Sequence, residues 1–320
     1  MNVVPFLLLR LATALLTLLG VAALVFAALR LIPGTPADVL LGPMATPEMR
    51  AILTARYGLD QSLPQQFGHW LAALARGDFG ISMVTNEPVM NELARRAPYT
   101  GELASLTMLV ALATGVPLGV WSALSTRGRG VVVGRLVGAV GASVPEFVLG
   151  SFLIYAFSNW QLGLQVGGFV PFGEDAGANL RSLALPTLSM SVFGMALILR
   201  TTREAVLRVM TEGHITAAVG RGETPWFIVR HHVLRNAAIP LVTVVTTYFG
   251  FLLGGAVIAE VLFSIPGVGY YIYSSLEGRD YAVVQAGVLL AAAVYIALNM
   301  LADVAYALVD PRIGATKART

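Results

Sequence analysis

Four acids and three histidines are the residues of this sequence whose types and positions could do chemistry. Glu102, Glu146, Glu260 and Asp303 lie inside or at the edge of long apolar runs. An ionised side chain is costly there unless it is paired or hydrated. Glu102 and Asp303 fall near the ends of their runs, which suits an interfacial, solvated role. Glu146 follows Pro145 in the stretch SVPEFVLG. A proline can break a helix, and backbone groups freed by the break need a cavity or a partner. Glu146, with Ser143 just before it, is therefore a candidate to line a passage. His214, His231 and His232 could hold a metal. Adjacent histidines point to different faces of a helix, however, and no carboxylate is placed to help them. Neither HExxH nor GxSxG occurs, so neither an intramembrane metalloprotease nor a serine hydrolase finds its residues. GxxxxGK[ST] is also absent, and the one lysine, Lys317, has no phosphate-binding loop before it. The sequence predicts no catalytic residue and no metal ligand.

The elements that must position these residues are membrane spans. The chain has 320 residues, of which 56% are hydrophobic and only 12% charged. The charged share of a soluble domain is about 25%. Mean hydropathy is +0.74. The composition is that of an all-α integral membrane protein. Cys is absent, so disulfides and thiolate metal sites are excluded. The net charge is +3, and no basic run interleaved with aromatics supports nucleic-acid binding. A bilayer-crossing helix needs about 20 apolar residues. Six segments meet that need: Leu11–Leu29, Leu103–Leu124, Val137–Phe157, Leu183–Leu199, Ile239–Phe263 and Val283–Leu308. The first is too long for a signal-peptide core and reads as an uncleaved anchor.

Arginine placement sets the orientation. Arg127, Arg129 and Arg135 follow span two, and Arg200, Arg203, Arg208, Arg221, Arg230 and Arg235 follow span four. Arg312, Lys317 and Arg319 lie in the tail. Facing loops balance Arg181 against Glu174 and Asp175, and Arg279 against Glu277 and Asp280. Both termini are expected in the cytoplasm. The chain divides into an N-terminal span (1–30), an extracytoplasmic segment with short helices (31–100), a five-span core (101–310) and a cytoplasmic tail (311–320). Within the extracytoplasmic segment, Thr46 as N-cap, Pro47 at the first position and Gly58 beyond the end mark one helix. LPQQFGHWLAALARG marks a second, ending near Gly77. This segment is either a packed cap or a contact surface for a soluble partner.

The cytoplasmic segment 204–238 is structured where a short polar loop would suffice. Thr211 can cap a short helix carrying Ile215, Ala218 and Val219 on one face. Gly222 ends it in a turn. Thr224 and Pro225 start a second helix through Trp226, Phe227, Val229 and Val233, and Arg221, Arg230 and Arg235 rim the whole. Spacing alone leaves open an interfacial hairpin against lipid headgroups, the weak histidine metal site, and a knob that inserts into a cytoplasmic partner.

A family resemblance favours the knob. The loop resembles the EAA loop of type I ABC-transporter permeases of the oligopeptide and dipeptide importer branch. Thr216-Ala217-Ala218 stands at the EAA-like triplet, and Gly222 at the loop glycine. RHHVLRNAAIP, Arg230 to Pro240, is similar to the branch's Arg-His-x-x-Leu-Arg-Asn-x-x-x-Pro run. RLIPGTPADVLLGP, RYGLDQSLPQQFGHWL, GDFGIS, EVLFSIPGVGYYIYSSLEGRDYAVVQA and DVAYALVDPRIG extend the likeness over nearly the whole chain. Position 216 is Thr where other permease branches carry Glu, and Leu234-Arg235 replaces their Leu-Pro pair. Glu146 stands where the branch often has a small polar residue.

The resemblance implies a six-span type I importer fold and a subunit that forms half of a passage for peptides or similar small solutes. It implies that this chain is not an enzyme and binds no cofactor itself. ATP and Mg would be used by two ABC ATPase subunits. A second, homologous permease, an extracytoplasmic substrate-binding protein and membrane lipid would be the other partners. Ile215, Thr216, Ala217, Ala218, Arg221, Gly222, Trp226 and Arg230 would make the ATPase-coupling surface. Glu146, Ser143 and Glu260 would lie along the passage, Glu260 at its outer mouth. The location would be the cytoplasmic membrane of a bacterium or archaeon. The alternatives are an independent channel or secondary transporter and, behind these, an intramembrane enzyme.

Overall fold

The structure is a computed structural model. It describes residues 3–33, 39, 41–42, 46–125, 128–160, 163–164 and 166–309. The expected tail 311–320, Arg127 and most of the PGTPADVLLGP stretch lie outside the described residues, as do the side chains of Asp303 and its neighbours.

The described elements are helical. They are α1 (Val3–Leu31), α2 (Pro47–Arg56), α3 (Leu63–Ala75), α4 (Val89–Leu124), α5 (Arg129–Ser143), α6 (Glu146–Trp160), α7 (Ala176–Met210), α8 (Gly213–Gly220), α9 (Pro225–Phe227), a π-helical turn (Ile228–Val233), α10 (Leu234–Gly255), α11 (Val257–Leu262), α12 (Val268–Glu277) and α13 (Tyr281–Val309). Four single helices, α1, α4, α7 and α13, are long and apolar enough to cross a membrane. Two bent pairs bring the number to six when each counts as one span.

Spans three and five are not simple rods, and the break that Pro145 allows in span three occurs. Val137–Phe157 is not continuous, because α5 and α6 meet at 94° across Val144-Pro145. Proline drives its predecessor out of the helical region, and Val144 sits at φ −86°, ψ 117°. The Pro145 carbonyl then accepts the amides of Val148 and Leu149 at 3.1 and 3.2 Å, so a new helix starts at once. Span five bends by 53° between Ile228–Ala238 and Pro240–Gly254. Pro240 cannot donate to the helical ladder, and the π turn just upstream widens the helix before it.

The chain divides into two compact units. The first holds 101–265 with 297–320, and its core gathers Leu103, Met108, Leu183, Leu185, Met190, Ile198, Tyr248 and Leu252. The Tyr248 hydroxyl donates to the Met190 carbonyl at 2.7 Å, and its ring occupies the space on α7 where residue 194 has no side chain. A Cβ at Gly194 would stand 2.0 Å from Tyr248 Cε1. The second unit holds 2–100 with 266–296. Its core is Val25, Leu29, Tyr281 and Val284 on one side and Val89, Leu93, Tyr271 and Val283 on the other. Asp280, 1% exposed, accepts the Ser82 hydroxyl at 2.5 Å. The Thr46 hydroxyl accepts the Met49 amide at 3.3 Å, as its N-cap role predicts. Gly58 follows α2 at φ +63°, and Ser62 opens α3 through a capping box with Gln65.

Gly194→Ala is expected to cost about 1–3 kcal/mol by overpacking, and Tyr248→Phe about 1 kcal/mol through the lost hydrogen bond. Thermal unfolding of the detergent-purified protein should place wild type above Tyr248→Phe, and Tyr248→Phe level with or above Gly194→Ala.

Candidate functional site

The loop between α7 and α10 is a helix, a glycine turn and a helix, with its own core. Ile215 and Ala218 are 2% and 0% exposed, and pack with Ile228 and Val233 against Ala123 of α4 and Val206 and Val209 of α7. Burial of these side chains fixes the loop to the ends of two spans. Gly222 takes φ +77°, a conformation that costs a side-chain-bearing residue about 1 kcal/mol or more. Nothing lies within 4 Å of where its Cβ would stand, so the glycine answers a backbone need and not a steric one. The Thr224 hydroxyl accepts the Phe227 amide at 3.4 Å and so caps the second helix.

Several residues sit differently from the sequence expectation. Thr211 does not cap α8. It ends α7, and its hydroxyl bonds back to the Arg208 carbonyl at 2.7 Å. Glu212 takes the N-cap position of α8. Ile215, Ala218 and Val219 lie on one helical face, but only the first two are buried, while Val219, at its rim, is 59% exposed. The ends of α4 and α7 cover the i, i+3 side of that face and leave its i+4 edge open. Thr216, Ala217, Val219, Arg221 and Trp226 form the outward surface, with Trp226 70% exposed. Arg230 is exposed on the π turn, and the Phe227 ring stacks on His231 at 4.1 Å between centroids.

A carboxylate does stand beside the histidines, contrary to expectation. Glu223 Oε2 lies 3.0 Å from His232 Nε2, and Glu223 Oε1 accepts two bonds from Arg221 at 3.0 and 2.6 Å. Nothing in the sequence spacing singled out Glu223. The turn at Gly222 reverses the chain and brings residue 223 back over residue 232. His214 lies near His232, with ring centroids 6.0 Å apart, but no group of three metal-ligating residues occurs among the described residues. The Arg221 guanidinium holds the Glu223 carboxyl below the usual carboxylate range against the opposing effect of burial, and His232 adds to the lowering.

Of the pathway candidates, Glu146 begins α6 at the 94° break, beside Phe147, Ser189, Met190 and Leu262. Among the described residues it has no ion pair. Ser143 ends α5 and returns its hydroxyl to the Ala139 carbonyl at 2.7 Å. Glu260 is fully buried in α11. Glu102 is half-buried and accepts the Asn179 side chain at 3.4 Å.

Comparison with known proteins matches nearly the whole length. Residues 115–315 match the family described as binding-protein-dependent transport system inner membrane component, and residues 3–104 match its N-terminal component. The chain is 37% identical over 308 residues to a probable peptide ABC transporter permease of Sinorhizobium fredii, covering 96% of this chain and 98% of that one. It is 36% identical over 304 residues to a glutathione transport system permease of Salmonella typhi, and 32% identical over 329 residues to a dipeptide transport system permease of Alkalihalophilus pseudofirmus. Both alignments cover 95% of this chain and 97% of the relative. A solved inward-facing structure of a methionine ABC transporter superposes with a TM-score of 0.58 at 22% identity, over 70% of this chain and 99% of that one. The shared fold is that of a type I importer permease.

The Glu223 cluster gives the loop a pH dependence. A carboxyl whose folded pKa is lowered contributes stability that is present above its unfolded value and is lost as pH falls through the folded one. Hydrogen-exchange protection of residues 213–233, corrected for intrinsic rates, should be flat near neutrality and fall on acidification below the ordinary carboxylate range. Glu223→Gln should lower protection at pH 7 and flatten that acid limb.

Proposed function

This chain belongs to the family of binding-protein-dependent transport system inner membrane components, and we propose that it forms one half of the passage of a peptide-type importer whose ATPase docks on the α8–α9 surface. As a permease subunit it works with an ATPase and further transporter subunits, and ATP hydrolysis takes place outside this chain. The proposed assembly has a second, related permease, two ATPase subunits using ATP and Mg, and an extracytoplasmic binding protein. The peptide substrate class rests on the printed functions of the relatives. The arginine-rich segments after spans two and four support an inner-membrane orientation with both termini in the cytoplasm.

One observation carries the mechanism. The inner face of the loop, Ile215 and Ala218, packs on Ala123, Val206 and Val209, which end two membrane helices. The outer face presents Val219 and Trp226. A push on the outer face therefore reaches α4 and α7 through close-packed side chains of low compressibility. ATP-driven closure of the motor would move the loop as a body and switch the paired permeases from inward-facing to outward-facing. Hydrolysis would reset them. Glu146, at the 94° break between α5 and α6, is the proposed passage-lining carboxylate.

Two measurements test these assignments. An exposed tryptophan at the centre of a docking patch typically contributes at least 2 kcal/mol to binding. Trp226→Ala should therefore cut the ATPase recovered with the tagged chain by about tenfold or more, and leave the thermal midpoint unchanged. Equal recovery would remove the α8–α9 surface from the interface. Glu146→Gln should alter uptake while the complex still assembles, and unchanged uptake of every substrate tried would take Glu146 off the passage.

A further inference from the structure

Arg30 lies one residue from the end of α1, where a membrane helix reaches the interface. Its guanidinium is held from three sides. Nε and Nη2 both donate to Gln66 Oε1, at 3.3 and 2.9 Å. The Phe26 and Tyr281 rings lie 4.3 and 4.6 Å from Cζ. Nη1 is buried and has no acceptor, and Arg30 has no acidic partner among the described residues. A neutral amide and two ring faces orient the cation but leave its charge uncompensated.

Two concave spaces meet at this residue. On one side is an open apolar groove of about 490 Å³ between α1 and α3, lined by Ala23, Ala27, Leu31, Leu63 and Phe67. On the other is a cavity of about 260 Å³ whose lining is largely apolar, with Leu59, Trp70 and Met83, and whose polar members include Gln66, His69, Asp78 and Gln285. Gln285 is 4% exposed, and its Nε2 is a second buried donor with no acceptor. Asp78 already accepts the Gly80 amide at 2.9 Å.

We propose that this is a phospholipid site: an acyl chain lies in the α1–α3 groove, the phosphodiester sits on Arg30, and a headgroup with a primary ammonium enters the Gln66–Asp78–Gln285 cavity. An apolar groove, then a cation, then a cavity that holds one carboxylate, Asp78, follow the order of acyl chain, phosphate and ammonium along an aminophospholipid. Arginine is suited to phosphate through its planar fork of donors, and guanidinium–phosphate hydrogen bonds are among the strong ones. Asp78 disfavours a second anionic group in the cavity and favours an ammonium. The groove lies on a span that lipid already surrounds, so the occupant needs no separate route of delivery. Bound lipid would tie α1 to α3 and order the segment in which both lie.

Native mass spectrometry of the purified, delipidated complex, titrated separately with phosphatidylethanolamine, phosphatidylglycerol and phosphatidylcholine, reads the site directly. The expected result is one tightly held phosphatidylethanolamine per chain, with the other two retained less. Arg30→Gln should reduce that occupancy by at least about tenfold, as the loss of a charge-assisted phosphate contact implies. Ala27→Trp fills the exposed groove floor and leaves the guanidinium untouched, so it should reduce occupancy similarly without disturbing the core. Asp78→Asn should bring phosphatidylethanolamine and phosphatidylglycerol to near parity. Full occupancy in both Arg30→Gln and Ala27→Trp would overturn the site. Equal retention of all three lipids by the wild type would overturn the headgroup assignment, as would no retained lipid at all.

Discussion

In hydrocarbon every peptide N–H and C=O must find its partner inside the protein, and an unpaired one costs several kcal/mol. The rest of this structure depends on that constraint. It makes the chain helical, and it decides what happens where proline denies a helix its ladder. At Pro145 the first unit does not leave a frayed end in lipid. The proline carbonyl starts α6 immediately, and the break turns the chain by 94°. At Pro240 a π turn precedes a 53° bend, and α7 packs closely against the helix beyond it. Tyr248 closes that contact by donating to the Met190 carbonyl and lying over Gly194.

The loop between α7 and α10 follows from the same economy of contacts. Eight helical residues are too few to be stable alone in water, so α8 persists because Ile215 and Ala218 are buried on the ends of α4 and α7. That burial leaves Val219 and Trp226 outward, exposed among the described residues. Stability and exposure are two sides of one short helix. The arrangement suits a part that must be rigid towards its own membrane helices and apolar towards a partner. Glu223 adds a polar clamp across the turn, joining Arg221 to His232.

The second unit solves a different problem, the placing of charge near the membrane surface. Glu92 is paired with Arg95 and Arg96, and Asp280 accepts from Ser82 and the Val84 amide. Arg96 also lies over the Tyr271 ring and donates to the Pro266 carbonyl. Against these satisfied groups Arg30 stands out, since its neighbours orient it without neutralising it.

By itself the sequence determined the class, the number of spans, the α2 helix with Thr46, Pro47 and Gly58, and the turn at Gly222. Each of these rests on short-range causes: side-chain transfer energy, an N-cap, a proline, a residue free to take positive φ. The six-span count and the family motifs were legible for the same reason. Tertiary structure alone decided which way the pieces face. Thr211 looked like a cap for α8, but the packing of Val206 and Val209 carries α7 through to Met210 and makes Thr211 its end. Ile215, Ala218 and Val219 make one helical face, but the ends of α4 and α7 bury only the first two. Pro145 announced a possible break, but not its 94° angle, which depends on how α5 and α6 each pack on α7. Glu223 beside His232 and the unmatched Nη1 of Arg30 had no signal at all. Such pairings join residues through folded space, and no local preference in the chain encodes the distance between them.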